Sequence, residues 1–194
     1  YEIYYEIYRC LSKHNVSIYY VTSSYSDRLL GLGLPKISVH YIGTGFIRSL
    51  FFLLLDFKFG FTTTPDLNNN EIRRSLVHDV RYIYVHHSIV SSHMVYNQKA
   101  FDNFDVILCV GEHHYKETRR NELVNNLKKK ELLKCGYPKI DLLIESNYKP
   151  VKMNILIAPS WGDNSISSCC ITEIIEHLLI NNYHVVYRPH PRTY

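Results

Sequence analysis

A histidine pair, His86 and His87, comes directly after the apolar run at residues 82–85. An imidazole titrates near neutral pH, so a histidine at an exposed strand end can remove a proton from a substrate hydroxyl. His87 is therefore the candidate general base, and a loop histidine that only bonds to backbone is the alternative. Because neighbouring residues of a strand point to opposite faces, His86 is expected to be structural.

A second candidate site lies in the segment Arg188-Pro189-His190-Pro191. Arg188 and His190 are separated by one residue and so share one face of an extended segment, which the two prolines stiffen. Two donor groups that point the same way suit a diphosphate and could stabilise charge on a leaving phosphate. The alternative is an arginine that pairs with the carboxyl end of a helix.

Other polar residues also follow predicted strands. Ser160 and Trp161 follow the strand at residues 154–158, and Asp141 lies in the segment after the strand at residues 132–135. In open α/β sheets, ligands bind at the carboxyl ends of the strands, so each of these groups is expected at that edge of its sheet. The Trp161 ring could stack on a base or could simply pack against neighbours.

The spacing of the histidines and cysteines does not favour a metal site or a disulfide framework. Five histidines occupy positions 86, 87, 93, 113 and 114, but they form no His-Glu-x-x-His or His-x-His pattern. The five cysteines are odd in number and include no Cys-x-x-Cys pair, which indicates reduced thiols in a cytoplasmic compartment. Cys109 and Cys135 lie in apolar runs and are expected to be buried.

The pattern of apolar runs predicts strands that alternate with helices, which is typical of a parallel sheet. The predicted helices cover residues 1–14, 43–55, 111–130 and 166–180. The predicted strands cover residues 16–21, 57–63, 81–86, 106–110, 132–135, 154–158 and 184–187. The fold class is therefore α/β, with an open α/β sandwich as the first domain.

A polar stretch at residues 145–150 ends in proline and suits a linker. It separates a complete Rossmann-like domain, residues 1–147, from the first βαβ unit of a second one, residues 148–194. The chain begins at Tyr1, has its first methionine at Met94, and ends soon after His190. We therefore expect a fragment of a longer protein, whose second domain is truncated.

The charge and hydropathy of the chain exclude several classes of protein. With 194 residues, 22 Lys+Arg and 18 Asp+Glu, the net charge is only +4, so no nucleic-acid partner is expected. The one cationic run, at residues 128–130, is expected to be a solvated helix end. The longest apolar stretch, residues 46–61, contains three charged residues and is too short to cross a membrane, although it could lie against one.

Six segments of the chain form a further pattern. They are Thr63-Thr64-Pro65-Asp66-Leu67, Val85-His86-His87-Ser88, residues 100–111, Gly136-Tyr137-Pro138-Lys139-Ile140-Asp141, Ile157-Ala158-Pro159-Ser160-Trp161 and Arg188-Pro189-His190-Pro191. Together they resemble the motifs of the CDP-glycerol glycerophosphotransferase family, the teichoic-acid-type polymerases and primases of bacteria. The segments span about two thirds of the chain in the order expected of that family.

The resemblance implies a GT-B architecture of two Rossmann-like domains. It also implies transfer of glycerol phosphate from CDP-glycerol to a hydroxyl of a wall or capsule-type polymer, with release of CMP. On the family pattern, His87 is the base and His190 is the second catalytic residue. The residues assigned to donor binding are Arg188, Ser160, Trp161 and Asp141.

The resemblance further implies that CDP-glycerol is the donor substrate, that no separate cofactor is needed, and that the acceptor is a polyol-phosphate or glycan polymer. The expected location is the cytoplasm, with peripheral association at the inner face of the cell membrane as a further expectation. Two alternatives stay open. One is a GT-B glycosyltransferase or epimerase that uses a sugar nucleotide, and the other is a non-catalytic module that binds polymer or membrane.

Overall fold

The computed structural model describes residues 2–68, 72–145 and 154–191. The chain divides into two compact units, Tyr1–Leu142 (unit 1) and Leu143–Tyr194 (unit 2). The predicted linker, apart from residue 145, and the predicted domain boundary between residues 147 and 148 lie outside the described residues.

Unit 1 consists of helices and strands that alternate along the chain, except that its third strand is followed directly by its fourth. In chain order they are α1 (Glu2–Leu11), β1 (Ile18–Thr22), a 3₁₀ helix (Arg28–Gly31), β2 (Ile37–Tyr41), α2 (Gly45–Leu53), β3 (Phe59–Thr62), β4 (Arg81–Val85), α3 (Ser92–Val95), β5 (Val106–Cys109), α4 (Glu112–Val124), β6 (Glu131–Lys134) and α5 (Pro138–Glu145), whose last three residues belong to unit 2. Unit 2 continues with β7 (Asn154–Ile157), α6 (Ile166–Cys169), α7 (Ile171–Ile180) and β8 (His184–Tyr187).

All the strand pairs that the described residues form are parallel. A four-stranded sheet has the order β3-β4-β5-β6, while β1 pairs with β2 and β7 pairs with β8. Parallel neighbours need a crossover connection. Helices lie in the connections from β4 to β5, from β5 to β6 and from β7 to β8, whereas the connection from β3 to β4 contains no helix among the described residues. The α/β class is therefore confirmed, and the topology is Rossmann-like.

The core of unit 1 is built around β4 and β5. Four of the five residues of β4 are buried, and Tyr84 and Ile107 are among the largest side chains that are fully enclosed. A parallel strand covered on both faces is expected to read as a continuous apolar run, and β4 does so from Tyr82 to Val85, after the exposed Arg81. Cys109 at the end of β5 is also fully buried, which confirms its prediction.

Three predictions about unit 1 are wrong. The helix predicted to reach residue 130 ends at Val124, because Asn125 caps it and Asn126 has a left-handed backbone with φ of 49°. The lysine run therefore lies in the loop before β6 rather than at a helix end. Lys130 is 8% exposed, and its N–H donates to a Glu122 carboxylate oxygen over 2.8 Å. Cys135 follows β6 and is exposed rather than buried.

The remaining differences concern a helix that is divided in two and a strand that was not predicted. The helix predicted at residues 166–180 is two helices, since the backbone at Cys170 leaves the helical region with φ of −153°. Strand β2 was not predicted, although its half-buried side chains alternate as in a strand with one covered face. Within the described ranges, no helix is both long and apolar enough to span a bilayer.

Candidate functional site

The loops that follow β4, β5 and β6 meet at the carboxyl edge of the four-stranded sheet. The ladder pairs Val85 with Leu108 and Cys109 with Lys134, so these strands end side by side. His87 follows β4 and is exposed at this edge, where a ligand can reach its ring. His87, the predicted base, therefore lies at the carboxyl end of its strand, as expected for a ligand site of an open α/β sheet.

Two tyrosines contact His87 from different segments. The hydroxyl of Tyr137, which follows β6, donates to the backbone carbonyl of His87 over 2.8 Å. The hydroxyl of Tyr96, just after α3, lies 3.4 Å from Nε2 of His87, and the two rings are nearly perpendicular, with centroids 6.1 Å apart. The backbone and one ring nitrogen of His87 are thus held, while the side chain stays exposed to solvent.

His86 is buried directly behind this residue, as its structural interpretation predicted. It is 3% exposed and stacks on His114 with ring centroids 3.8 Å apart. Burial, and after it the neighbouring histidines, lower the pKa of His86 to about 3. His86 is therefore neutral at physiological pH and serves as a packing residue of the site.

Helix α4 holds the loop that carries His87. Nε2 of His113 lies 3.0 Å from the carbonyl oxygen of Ile89, and Nε2 of His114 lies 2.7 Å from that of Val90. Each Nε2 must carry the proton to make these bonds, because a carbonyl oxygen only accepts. These two histidines therefore hold the backbone of the loop after β4 and are not arranged as metal ligands.

Glu117, one turn further along α4, accepts two more bonds from the same loop. Its carboxylate accepts a hydrogen bond from the Ser91 hydroxyl over 2.6 Å and another from the Ser92 N–H over 2.7 Å. Burial alone would raise the pKa of Glu117, but these hydrogen bonds and the nearby His93 lower it below its usual value. The carboxylate is therefore ionised and anchors the loop.

Sequence reasoning missed Tyr96, Tyr137 and Glu117. Tyr96 was hidden by composition, because the chain has 17 tyrosines. Tyr137 stands in the Gly136-Tyr137-Pro138 motif of the family resemblance, but no role was assigned to its side chain. Glu117 had a usable signal, since it is three and four residues after His114 and His113 and so lies on the same face of α4. Among the described residues, no group of three or more His, Cys, Asp or Glu side chains is placed to hold a metal ion.

Asp141 is in unit 1 and is exposed in the first turn of α5, where a carboxylate interacts favourably with the helix dipole. The hydrogen bonds that His87 makes with described residues come from Tyr96 and Tyr137. The structure therefore shows no hydrogen bond between these two predicted site residues.

In unit 2, the predicted donor-binding residues follow β7 and β8. The ladder pairs Ile157 with Tyr187, and the N–H of Arg188 extends it by donating to the Ile157 carbonyl oxygen over 2.9 Å. Ser160 and Trp161 lie in the loop after β7, and Trp161 is 48% exposed. The rings of Trp161 and His190 lie 6.3 Å apart at an angle of 36°, so the two loops come together.

Comparisons of this chain with protein families, with curated proteins and with solved structures give no match. The geometry of the two units and the motifs of the sequence are accordingly the basis for a functional proposal.

Proposed function

We propose that this chain carries parts of an enzyme that transfers glycerol phosphate from CDP-glycerol to a hydroxyl of a wall or capsule-type polymer. The observation that carries the proposal is the exposed His87 at the carboxyl end of β4, held by Tyr137 through its backbone and contacted by Tyr96 at Nε2. An exposed histidine with a fixed backbone is suited to general-base chemistry, because its ring is accessible and its position is constrained.

The proposed reaction is an in-line displacement at the β-phosphorus of CDP-glycerol. His87 takes the proton of the acceptor hydroxyl, whose oxygen forms the new bond to phosphorus while the bond to the CMP oxygen breaks. CMP leaves with the electron pair of that bond. No oxidant, reductant or additional co-reactant is needed for this balance.

The residues of unit 2 would act on the donor. Arg188 and His190 follow β8 and can donate to the phosphate oxygens as negative charge moves onto CMP. Trp161, whose ring lies near that of His190, offers a flat surface for the cytosine base. A GT-B arrangement, with donor and acceptor on separate Rossmann-like domains, is the framework that we propose for these roles.

The experiment that tests the proposal measures transfer of radiolabelled glycerol phosphate from CDP-glycerol to polymer by the full-length protein. We expect His87→Ala to reduce the rate by about 100-fold or more, which is the usual contribution of a general base. The matched control is His14→Ala, because His14 is also exposed but lies in the loop after α1. Equal rates for the two variants would remove His87 from the mechanism.

The donor class needs a separate measurement. CDP-glycerol and a UDP-sugar are added in turn, and the shift in melting temperature of the same protein is recorded, since a ligand stabilises the folded state to which it binds. Stabilisation by CDP-glycerol supports the proposal. Stabilisation by the UDP-sugar alone indicates a glycosyltransferase or epimerase instead, and no transfer with any donor indicates a binding module.

A further inference from the structure

His93 lies in α3, on the same segment after β4 that carries His87, and its side chain is 72% exposed. Its Nδ1 lies 2.7 Å from the Ser91 hydroxyl oxygen, which in turn lies 2.6 Å from a carboxylate oxygen of Glu117. The three side chains therefore form a chain of two short hydrogen bonds, from Glu117 through Ser91 to His93.

The direction of these two bonds fixes which ring nitrogen of His93 carries the proton. Glu117 is ionised, because its hydrogen bonds outweigh the effect of burial and lower its pKa. An ionised carboxylate can only accept, so the single proton of the Ser91 hydroxyl points to Glu117. The Ser91 oxygen must then accept from Nδ1 of His93, which leaves Nε2 of the neutral ring without a proton.

Nε2 of His93 is thus held as a hydrogen-bond acceptor that ligands can reach. The ring cannot exchange its proton between the two nitrogens without losing the bond to Ser91. The charge of Glu117 polarises both bonds, which strengthens Nε2 as an acceptor. A bare ring nitrogen favours a group that donates, such as a hydroxyl, and meets the lone pairs of a phosphate oxygen unfavourably.

His93 is close to the group that holds His87. The N–H of Tyr96 donates to the Ser92 carbonyl oxygen over 3.0 Å and closes the single turn of α3. His93 and Tyr96 are three residues apart on this turn and are therefore neighbours on its surface. The Tyr96 hydroxyl contacts Nε2 of His87, so both exposed imidazoles adjoin the same tyrosine.

We propose that His93 binds the acceptor of the transfer reaction, with its Nε2 accepting a hydrogen bond from a hydroxyl other than the one that attacks. This inference rests on the proposed function, in which His87 takes the proton of the attacking hydroxyl. Ser91 and Glu117 do not touch the acceptor and are positioning residues, because they fix the orientation and proton of the His93 ring. The inference adds no bond-breaking step to the reaction.

Nuclear magnetic resonance tests the state of the His93 ring without any activity. Long-range proton–nitrogen correlation spectra of the full-length protein at pH 8, where a solvated imidazole of pKa about 6.5 is neutral, distinguish the two tautomers. We expect His93 to carry its proton on Nδ1, and the exposed control His14 to carry it mainly on Nε2, as solvated imidazoles do. In Ser91→Ala, His93 should change to the pattern of His14. A proton on Nε2 of His93 in the unaltered protein overturns the inference and leaves the proposed function standing.

Steady-state kinetics test the role of His93, with CDP-glycerol as the donor and poly(glycerol phosphate) as the acceptor. We expect His93→Ala to raise KM for the polymer about fivefold or more, the effect of one lost hydrogen bond, with a smaller change in kcat. Ser91→Ala should raise KM in the same direction, whereas Ser91→Thr, which keeps the hydroxyl, and the control His14→Ala should not.

The outcomes separate this inference from the proposed function. An unchanged KM in His93→Ala, or a loss confined to kcat, overturns the acceptor-binding role while transfer by the unaltered protein still supports the transferase. An equal rise of KM in Ser91→Ala and Ser91→Thr overturns the positioning role of the Ser91 hydroxyl. Absence of transfer by the unaltered protein overturns both the proposed function and the inference.

Discussion

The hydroxyl of Tyr137 donates to the backbone carbonyl of His87 over 2.8 Å and thereby joins the loops that follow β6 and β4. The two residues are 50 positions apart in the chain and are brought together because β4 and β6 flank β5 in the same parallel sheet. A carbonyl held in this way fixes the path of the loop on which the candidate base lies. The relationship is open to direct test, as are three other contacts of the candidate sites.

Replacing Tyr137 by phenylalanine removes only the hydroxyl. We expect Tyr137→Phe to lower the free energy of unfolding of unit 1 by about 1 kcal/mol, the usual net value of one hydrogen bond. We also expect faster amide hydrogen exchange at residues 86–92, because the loop loses one of its anchors. Tyr183→Phe, which removes a partly exposed hydroxyl group in unit 2, serves as the control. Unchanged exchange in the loop would contradict the anchoring role.

Replacing Glu117 by glutamine removes the charge that accepts two hydrogen bonds from the same loop. We expect Glu117→Gln to lower the free energy of unfolding by about 1–3 kcal/mol at pH 7, since bonds to a charged group are stronger than neutral ones. Because folding lowers the pKa of this carboxyl from 4.5, its contribution is present above that pH and is lost as the pH falls through the folded value.

Urea unfolding at a series of pH values measures this effect. The difference in stability between the unaltered protein and Glu117→Gln should shrink as the pH falls below about 4.5. Glu145→Gln is the control, because Glu145 is exposed at the end of α5. A difference that is independent of pH would show that the charge of Glu117 does not matter.

The buried His86 gives a pH dependence in a different range. Its pKa is lowered by burial from 6.5 to about 3, so the unfolded chain binds a proton that the folded chain does not between these values. His86 therefore does not change the free energy of unfolding above about pH 6.5. As the pH falls below that value, His86 lowers the free energy of unfolding, by roughly 3 kcal/mol at pH 4.

His86→Phe keeps a ring in the stack against His114 but cannot be protonated. We expect the variant to lose stability less steeply between pH 6.5 and pH 4.5, a range in which the stabilisation by Glu117 stays constant. Chemical denaturation at half-unit pH intervals measures the slopes, with His14→Phe as the exposed control. Parallel slopes for His86→Phe and the unaltered protein would refute the buried, neutral state.

Trp161 is the only tryptophan of the chain, so its fluorescence reports directly on the loops after β7 and β8, which we propose bind the donor. We expect CMP and cytidine to quench it by stacking, and glycerol phosphate to leave it unchanged. His190→Ala should weaken the binding of CMP at least about tenfold and leave the binding of cytidine unchanged, since only CMP has a phosphate for His190 to contact. His184→Ala, at the exposed start of β8, is the control. Equal weakening of CMP binding and cytidine binding would mean that His190 only packs against Trp161 and does not contact the phosphate.

The sequence by itself determined the α/β class and most of the strands. The runs that became β4, β5 and β8 are apolar and are each bounded by polar or turn-forming residues, so their extent follows from local pattern alone. The contrast between His86 and His87 was also local, because adjacent residues of a strand face opposite sides. The end of α4 could have been predicted from Asn125 and Asn126, which are typical of helix ends.

Only the tertiary structure decided which side chains meet. The loop after β4 is contacted by three residues that are distant in the chain, Tyr137, Tyr96 and Glu117. These contacts depend on the order of the strands in the sheet and on the face that α4 turns toward the loop. Local periodicity encodes which face of an element is buried, but it carries no information about which distant loop lies beside it.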